Sequence, residues 1–295
     1  MKWENLRESS NVEDMRSKNF SRGTGGRGSL RLIIPIIRFL LGSKIGRKIL
    51  AVGAVVGVVA YFMGFNPLAL LDTQALTQPT QTQRVSKNDD KEARFVSTVL
   101  AQTEDVWKAI FKKHGMIYKE PKLVLFRGGI NSGCGYASSQ SGPFYCSANE
   151  KVYLDLGFFD ELSRNYNASG DFAQAYVIAH EIGHHVQDLL GTLDKSHSLK
   201  SRASKKQANA IQVKIELQAD CYAGVWAHYL KGILEDGDID EALNAAHSIG
   251  DDTLQKKAQG YVVPDAFTHG SSASRMKWFK NGYVGGSLES CRTGV

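Results

Sequence analysis

The chain has 295 residues, 42% hydrophobic and 22% charged, which leaves room for one or two domains with buried cores. Its net charge of +6 is unevenly placed: residues 1–48 carry eleven Lys/Arg against four Asp/Glu, a net of +7, and the rest carries 25 against 26, a net of −1. A nucleic-acid-binding domain would carry its basic patch on the folded part, so no nucleic-acid partner is expected.

In chain order, residues 1–30 are polar, rich in Gly, Ser and Arg, and lack an apolar period. They read as a disordered arm, and the whole of residues 1–45 as a disordered basic arm on the cytoplasmic side. Leu30–Leu41 is apolar but carries Arg31, Pro35 and Arg38, which suits the membrane surface better than its interior. Ile49–Phe65 holds seventeen residues without a charge, preceded by Lys44, Arg47 and Lys48. Residues 46–71 are therefore assigned as a single transmembrane anchor. The basic flank places the N-terminus in the cytoplasm and the following domain across the membrane, in the periplasmic or extracellular space. A cleaved signal peptide is the competing reading; the long arm and the lack of a small-x-small cleavage site weigh against it. Residues 72–90 read as a polar linker.

The globular domain is expected at 91–295. Phe95, Val96, Val99, Leu100, Val106, Trp107, Ile110 and Phe111 recur at helical spacing. Lys122–Phe126 and Lys151–Leu156 read as strands separated by a Gly/Ser/Cys-rich loop. A short helix is expected at Phe158–Asn165. Asp171 is a candidate N-cap for a helix to about Leu190, with Gly191 as its stop. Further helices are expected at about Lys205–Lys231, 238–258 and Ser272–Asn281. Helix, strands, then helices predict an α+β domain. Cys134, Cys146, Cys221 and Cys291 form no CxxC pair, so a cysteine zinc site is not expected. They read either as two disulfides, with Cys134 and Cys146 bracketing one loop, or as four buried thiols.

The segment His180-Glu181-Ile182-Gly183-His184 carries the chemistry. Residues four apart share a helix face, so His180 and His184 can both face one Zn²⁺. Glu181 lies about 100° round the helix, beside the metal, where it can accept a proton from a zinc-bound water. The flanking Ala175-Tyr176-Val177-Ile178-Ala179 is apolar, so the motif sits on a core helix whose polar groups need partners. A catalytic zinc needs a third protein ligand and an open position. The layout HExxHxxGxxH does not supply it, because residue 187 is Gln and residue 190 is Leu. Glu216 and Asp220, one turn apart in another apolar helix, do. Glu216 is assigned as the third ligand, and Asp220 as the acceptor for the spare ring N–H of His180. Helix-surface salt bridges are the competing reading of this pair.

HExxH followed by ExxxD on a later helix resembles the gluzincin class, and the chain resembles the YpfJ-type bacterial predicted neutral zinc metallopeptidase family. The segments that carry the resemblance are Ser10–Asp14, Cys134–Tyr136, Gly142–Cys146, Val152–Leu156, His180–Gln187, Glu216–Cys221 and Phe267–Ser272. It implies a zincin-like domain, a small sheet with the HExxH helix and a downstream glutamate helix, holding one Zn²⁺ per chain. It also implies His269 as a donor to the oxyanion of peptide hydrolysis or as a fourth ligand capping the metal; a surface-loop histidine is the alternative. Arg275 reads as an exposed residue, with anchoring of that loop or of a substrate carboxylate as the alternative, and His185 as structural. The strand Val152, Tyr153, Leu154, Asp155 and Leu156 is expected to be an edge that pairs with the substrate backbone. The chain is thus expected to be a membrane-anchored zinc endopeptidase acting on peptides or unfolded protein. The alternative is a zinc-stabilised, non-hydrolytic binding or chaperone-like protein with a capped site.

Overall fold

Two segments more than a hundred residues apart are joined in the sheet: Val12 pairs with Leu123. The computed structural model describes residues 1–18 and 87–295, which belong to one unit. Residues 19–45 of the arm, the anchor at 46–71 and residues 72–86 of the linker lie outside the described residues. No described helix is long and apolar enough to cross a membrane.

The sheet has the order β1-β2-β6-β5: β1 Val12–Asp14, β2 Lys122–Phe126, β6 Lys151–Asp155 and β5 Phe144–Cys146. The first three are parallel and β5 is antiparallel to β6. A separate hairpin joins β3 Gly129–Ser132 to β4 Gly135–Ser138. Eight α-helices are described: α1 Lys87–Lys113, α2 Gly157–Tyr166, α3 Asp171–Leu189, α4 Thr192–Lys200, α5 Lys205–His228, α6 Asp238–Ser248, α7 Asp251–Gln259 and α8 Ser272–Gly285. The α+β expectation holds. Asp171 is the first residue of α3 rather than its cap, which is Gly170. The helix expected over 238–258 is two helices broken at Gly250, where a Cβ would stand 2.3 Å from Ser272 Oγ.

The expected disorder of the arm is corrected for residues 1–18. Met1 and Trp3 are buried in the main core, with the Trp3 ring 5.3 Å from Phe95. Burying such a side chain contributes about 1.5–3 kcal/mol, against roughly 1–2 kcal/mol of backbone entropy per ordered residue. Two anchors therefore do not order eighteen residues alone. The β1 ladder and long-range polar contacts supply the rest: Arg7 to Glu104 and Asp105, Ser9 to Glu104, Asn11 to Glu104 and Glu120, and Glu13 to Lys151. Residues 87–90, read as linker, form the first turn of α1, where Asp89 accepts from Arg127 at 2.7 Å.

Helix α3 is buried on nearly every side. It packs against α5 through Gly183, where a Cβ would stand 2.9 Å from the Ala219 carbonyl oxygen. Helix α5 in turn meets α8 at Gly224 and Gly282, where added Cβ atoms would collide with the backbone of Phe279 and Cys221. Small residues thus let three core helices approach closely. Both disulfides form, Cys134–Cys146 and Cys221–Cys291; the second ties α5 to the chain after α8.

Candidate metal centre

His180 and His184 project from one face of α3 toward Glu216 on α5. Their Nε2 atoms lie 3.3 and 3.5 Å from the same oxygen, Glu216 Oε2. Donor atoms on a tetrahedral zinc with bonds of about 2.0 Å are roughly 3.3 Å apart, so the spacing fits that ion. All three groups bring donor atoms within 4.8 Å of one another, and His180 and Glu216 are buried. Two imidazoles and a carboxylate are also the donor chemistry zinc favours at catalytic sites.

The far side of each ligand is held by a hydrogen bond. The His180 Nδ1–H donates to Asp220 Oδ1 at 2.8 Å, and the His184 Nδ1–H to Gln187 Oε1 at 2.9 Å. Both rings therefore turn Nε2 toward Glu216. Gln187 is itself fixed, since its amide donates to Ile215 O at 2.7 Å and to Gln218 Oε1 at 3.0 Å. Glu216 Oε1 accepts from Gln212 at 2.8 Å, and Gln212 Oε1 accepts from Lys200 at 2.5 Å.

Asp220 is the hub behind the ligands. It accepts from His180, from the Tyr176 hydroxyl at 2.5 Å, and from Arg275 through Nε and Nη2, each at 2.9 Å. Arg275 is not exposed, as read from the sequence, but 2% accessible. The reason is charge: a fully buried Asp220 carboxylate needs a cation, and α8 delivers one. Burial alone would push the His180 pKa down; the negative charges of Asp220 and Glu216 overcome it and raise it to about 10. Burial likewise opposes the ionised form of Glu216, but His184 and His180 hold its carboxyl well below the usual range. The carboxylates of the cluster thus draw positive charge, met by Arg275 and by protons on the histidines, whose place a divalent cation would take.

Glu181 is buried and lines the same open cavity of about 770 Å³ as His180, His184 and Glu216. His269 also lines it, on the loop before α8, with its side chain 54% exposed. It is not one of the three clustered ligands. Its backbone N–H donates to Asp251 Oδ2 at 2.6 Å, and its Nδ1 is 3.4 Å from Asp251 Oδ1. His185 points away, donating from Nε2 to Lys119 O at 2.6 Å, with Nδ1 3.1 Å from the Tyr145 hydroxyl.

The expected substrate strand is corrected. β6 is an inner strand, paired with β2 along its full length and with β5 over Lys151–Tyr153, so Val152 and Tyr153 are covered on both sides, whereas Leu154 and Asp155 have no β5 partner and Leu156 lies past the strand. The chain turns back between Cys146 and Lys151, so Phe144–Cys146 covers that edge. Asp155 serves the local turn instead, accepting from the backbone N–H groups of Gly128 and Gly157. The edge is β5, whose Phe144 and Tyr145 line the cavity beside the ligands. Sequence reasoning also missed Tyr176, Gln187 and Gln212. Each lies three or four residues from a motif residue on its own helix, a spacing that would have found them.

A buried HExxH helix, a glutamate from a second helix and an open cavity at their junction define a metallopeptidase-like centre. The chain matches, over residues 1–294, the family described as "Putative neutral zinc metallopeptidase", and it belongs to that family. It is 46% identical to YpfJ of Escherichia coli (strain K12), over 99% of this chain and 98% of that one. It is also 41% identical over 213 residues to Rv2575 of Mycobacterium tuberculosis (strain H37Rv), covering 68% of this chain and 71% of that one. No solved structure matches it.

Proposed function

We propose that the protein is a membrane-attached, zinc-dependent peptidase that hydrolyses internal bonds of peptides or unfolded protein. The observation that carries this is the convergence of both Nε2 atoms on Glu216 Oε2, with Glu181 lining the same open cavity. Zinc bound there supplies Lewis acidity and lowers the pKa of water toward ~7.

The chain's own residues do the remainder. Glu181 accepts the proton of the attacking water and returns it to the leaving amine. His269, which lines the same cavity and is not among the ligands, donates to the oxygen on which charge develops. An extended substrate adds to the free edge of β5 at Phe144–Cys146, where backbone hydrogen bonds give affinity with little sequence preference. Residues 46–71 attach the protein to the membrane. Among the described residues, no contact of His269 with the ligands favours the capped, non-hydrolytic alternative.

The test uses the full chain with an unfolded protein substrate. Glu181→Gln is expected to retain one zinc per chain and to lower kcat/KM by about 10²–10⁴-fold. Chelation should abolish cleavage in the wild type. Equal, chelator-insensitive cleavage by both proteins would refute the reading.

A further inference from the structure

Residues 1–18 and 87–295 build one domain, and the interval between them contains the uncharged run Ile49–Phe65. β1 lies in register on β2 at Val12–Leu123, Glu13–Val124 and Asp14–Leu125. The pairing continues at both ends, with Leu123 N–H donating to Asn11 O and Met15 N–H to Leu125 O. Neighbouring strands are about 4.8 Å apart, whereas the hydrocarbon core of a bilayer is about 30 Å thick. One crossing of the bilayer between residues 19 and 86 would put β1 and β2 on opposite faces, and the pairing could not exist.

We infer that the N-terminus and the metal centre lie on the same side of the membrane. This replaces the single-crossing orientation expected from charge. That expectation rested on the basic flank Lys44, Arg47 and Lys48 and took no account of where the residues before it pack. Arg7 is in fact paired with Glu104 and Asp105, and Arg16 with Asp14 and Asp90, so these charges belong to the domain. Glu13, at the middle of β1, pairs with Lys151 of β6 at 2.7 Å. Losing the strand would bare the edge of β2, break these pairs and uncover the pocket that holds Trp3. Two disulfides in the same domain fit an oxidising compartment for both segments.

The inference rests on residues 46–71 being held in the membrane, and the experiment separates the two. Full-length protein in intact native membranes is treated with a water-soluble carbodiimide, which joins touching carboxylates and amines. Peptides are then identified by mass spectrometry. The expected products are a Glu13–Lys151 link and a Lys206–Asp265 link, the latter pair being 2.9 Å apart wholly within residues 87–295. Recovery of the Lys206–Asp265 link with Glu13 unmodified would overturn the inference. So would a Glu13–Lys151 link found only between isotopically distinct copies. Release of the protein by alkaline carbonate with the Glu13–Lys151 link intact would refute the membrane attachment, and the bilayer placement that rests on it, while leaving the pairing of β1 with β2 standing. Lys151→Gln should abolish that link and leave the control.

Discussion

Gly183 lies directly against the backbone of Ala219, so that a Cβ at 183 would stand 2.9 Å from the Ala219 carbonyl oxygen and 3.0 Å from its Cα. This contact sets how closely α3 and α5 approach, and hence how near Glu216 comes to the histidines. Helix propensity alone would favour Ala over Gly by about 1 kcal/mol. Overpacking at a backbone contact costs about 1–3 kcal/mol and wins here. Gly183→Ala should keep the helical circular dichroism and weaken zinc binding at least tenfold by competition with a fluorescent chelator. Unchanged affinity would sink the role given to this contact.

Gln187 holds the ring of His184 and is itself held twice. Partners of this kind typically change metal affinity 10–100-fold when removed. Gln187→Ala should weaken zinc by that order with little change in fold. Gln187→Glu should not restore it, because a carboxylate can accept from Nδ1–H but cannot donate to Ile215 O and Gln218 Oε1.

Arg275 neutralises Asp220 in a site closed to solvent, with 2% and 0% of the two residues accessible. Removing one partner of a buried ion pair costs about 3–5 kcal/mol. Arg275→Ala should lower the melting temperature of the apoprotein by ten degrees or more. A loss of less than about 1 kcal/mol in denaturant titration would mean that water reaches Asp220.

The His269–Asp251 contact gives two pH signatures. The His269 pKa is raised above its usual 6.5, first by the Asp251 side chain; burial opposes this, and the Glu216 charge adds to it. A raised pKa keeps the donating imidazolium past pH 6.5 and loses it as pH climbs through the raised value. The alkaline limb of kcat/KM should therefore begin above 6.5 and disappear in His269→Gln. For Asp251, burial alone would raise the pKa, but His269 and the backbone N–H groups of His269 and Gly270 hold it below the usual 3.8. Its contribution to the loop is complete above about pH 3.8 and is lost as pH falls through the lower, folded-state value. Protease nicking at 266–271 should rise only on that acid side.

A polypeptide starting at residue 91 lacks β1 and the first turn of α1, leaving β2 as an unpaired edge next to the empty Trp3 pocket. Unpaired edges invite aggregation. Such a protein should melt lower and aggregate more than one retaining residues 1–18, as judged by light scattering on heating. Equal behaviour would show that β1 contributes little.

Local geometry made much of the centre legible in the sequence. The i, i+4 spacing of His180 and His184 fixed their common face, and the apolar surroundings of Glu216 and Asp220 marked carboxylates in need of a cation. Two of the failures share one cause, since each depended on contacts remote in sequence. Residues 1–18 have the composition of a disordered arm, and only the core around Phe95 and the edge of β2 order them. Arg275 sits in a polar stretch and is buried because Asp220, 55 residues away, calls it in. The strand Phe144–Cys146 has three residues in a Gly/Ser-rich run, too few for a period-2 signal, and so its neighbour β6 was taken for the edge.

The pairing of Val12 with Leu123 also bears on the order of assembly during synthesis. The first strand made has no partner until more than a hundred further residues have been added. At ~5–20 residues per second, that is a wait of several seconds. Closure of the sheet is then a long-range, slow step, so the first strand made is among the last to find its place.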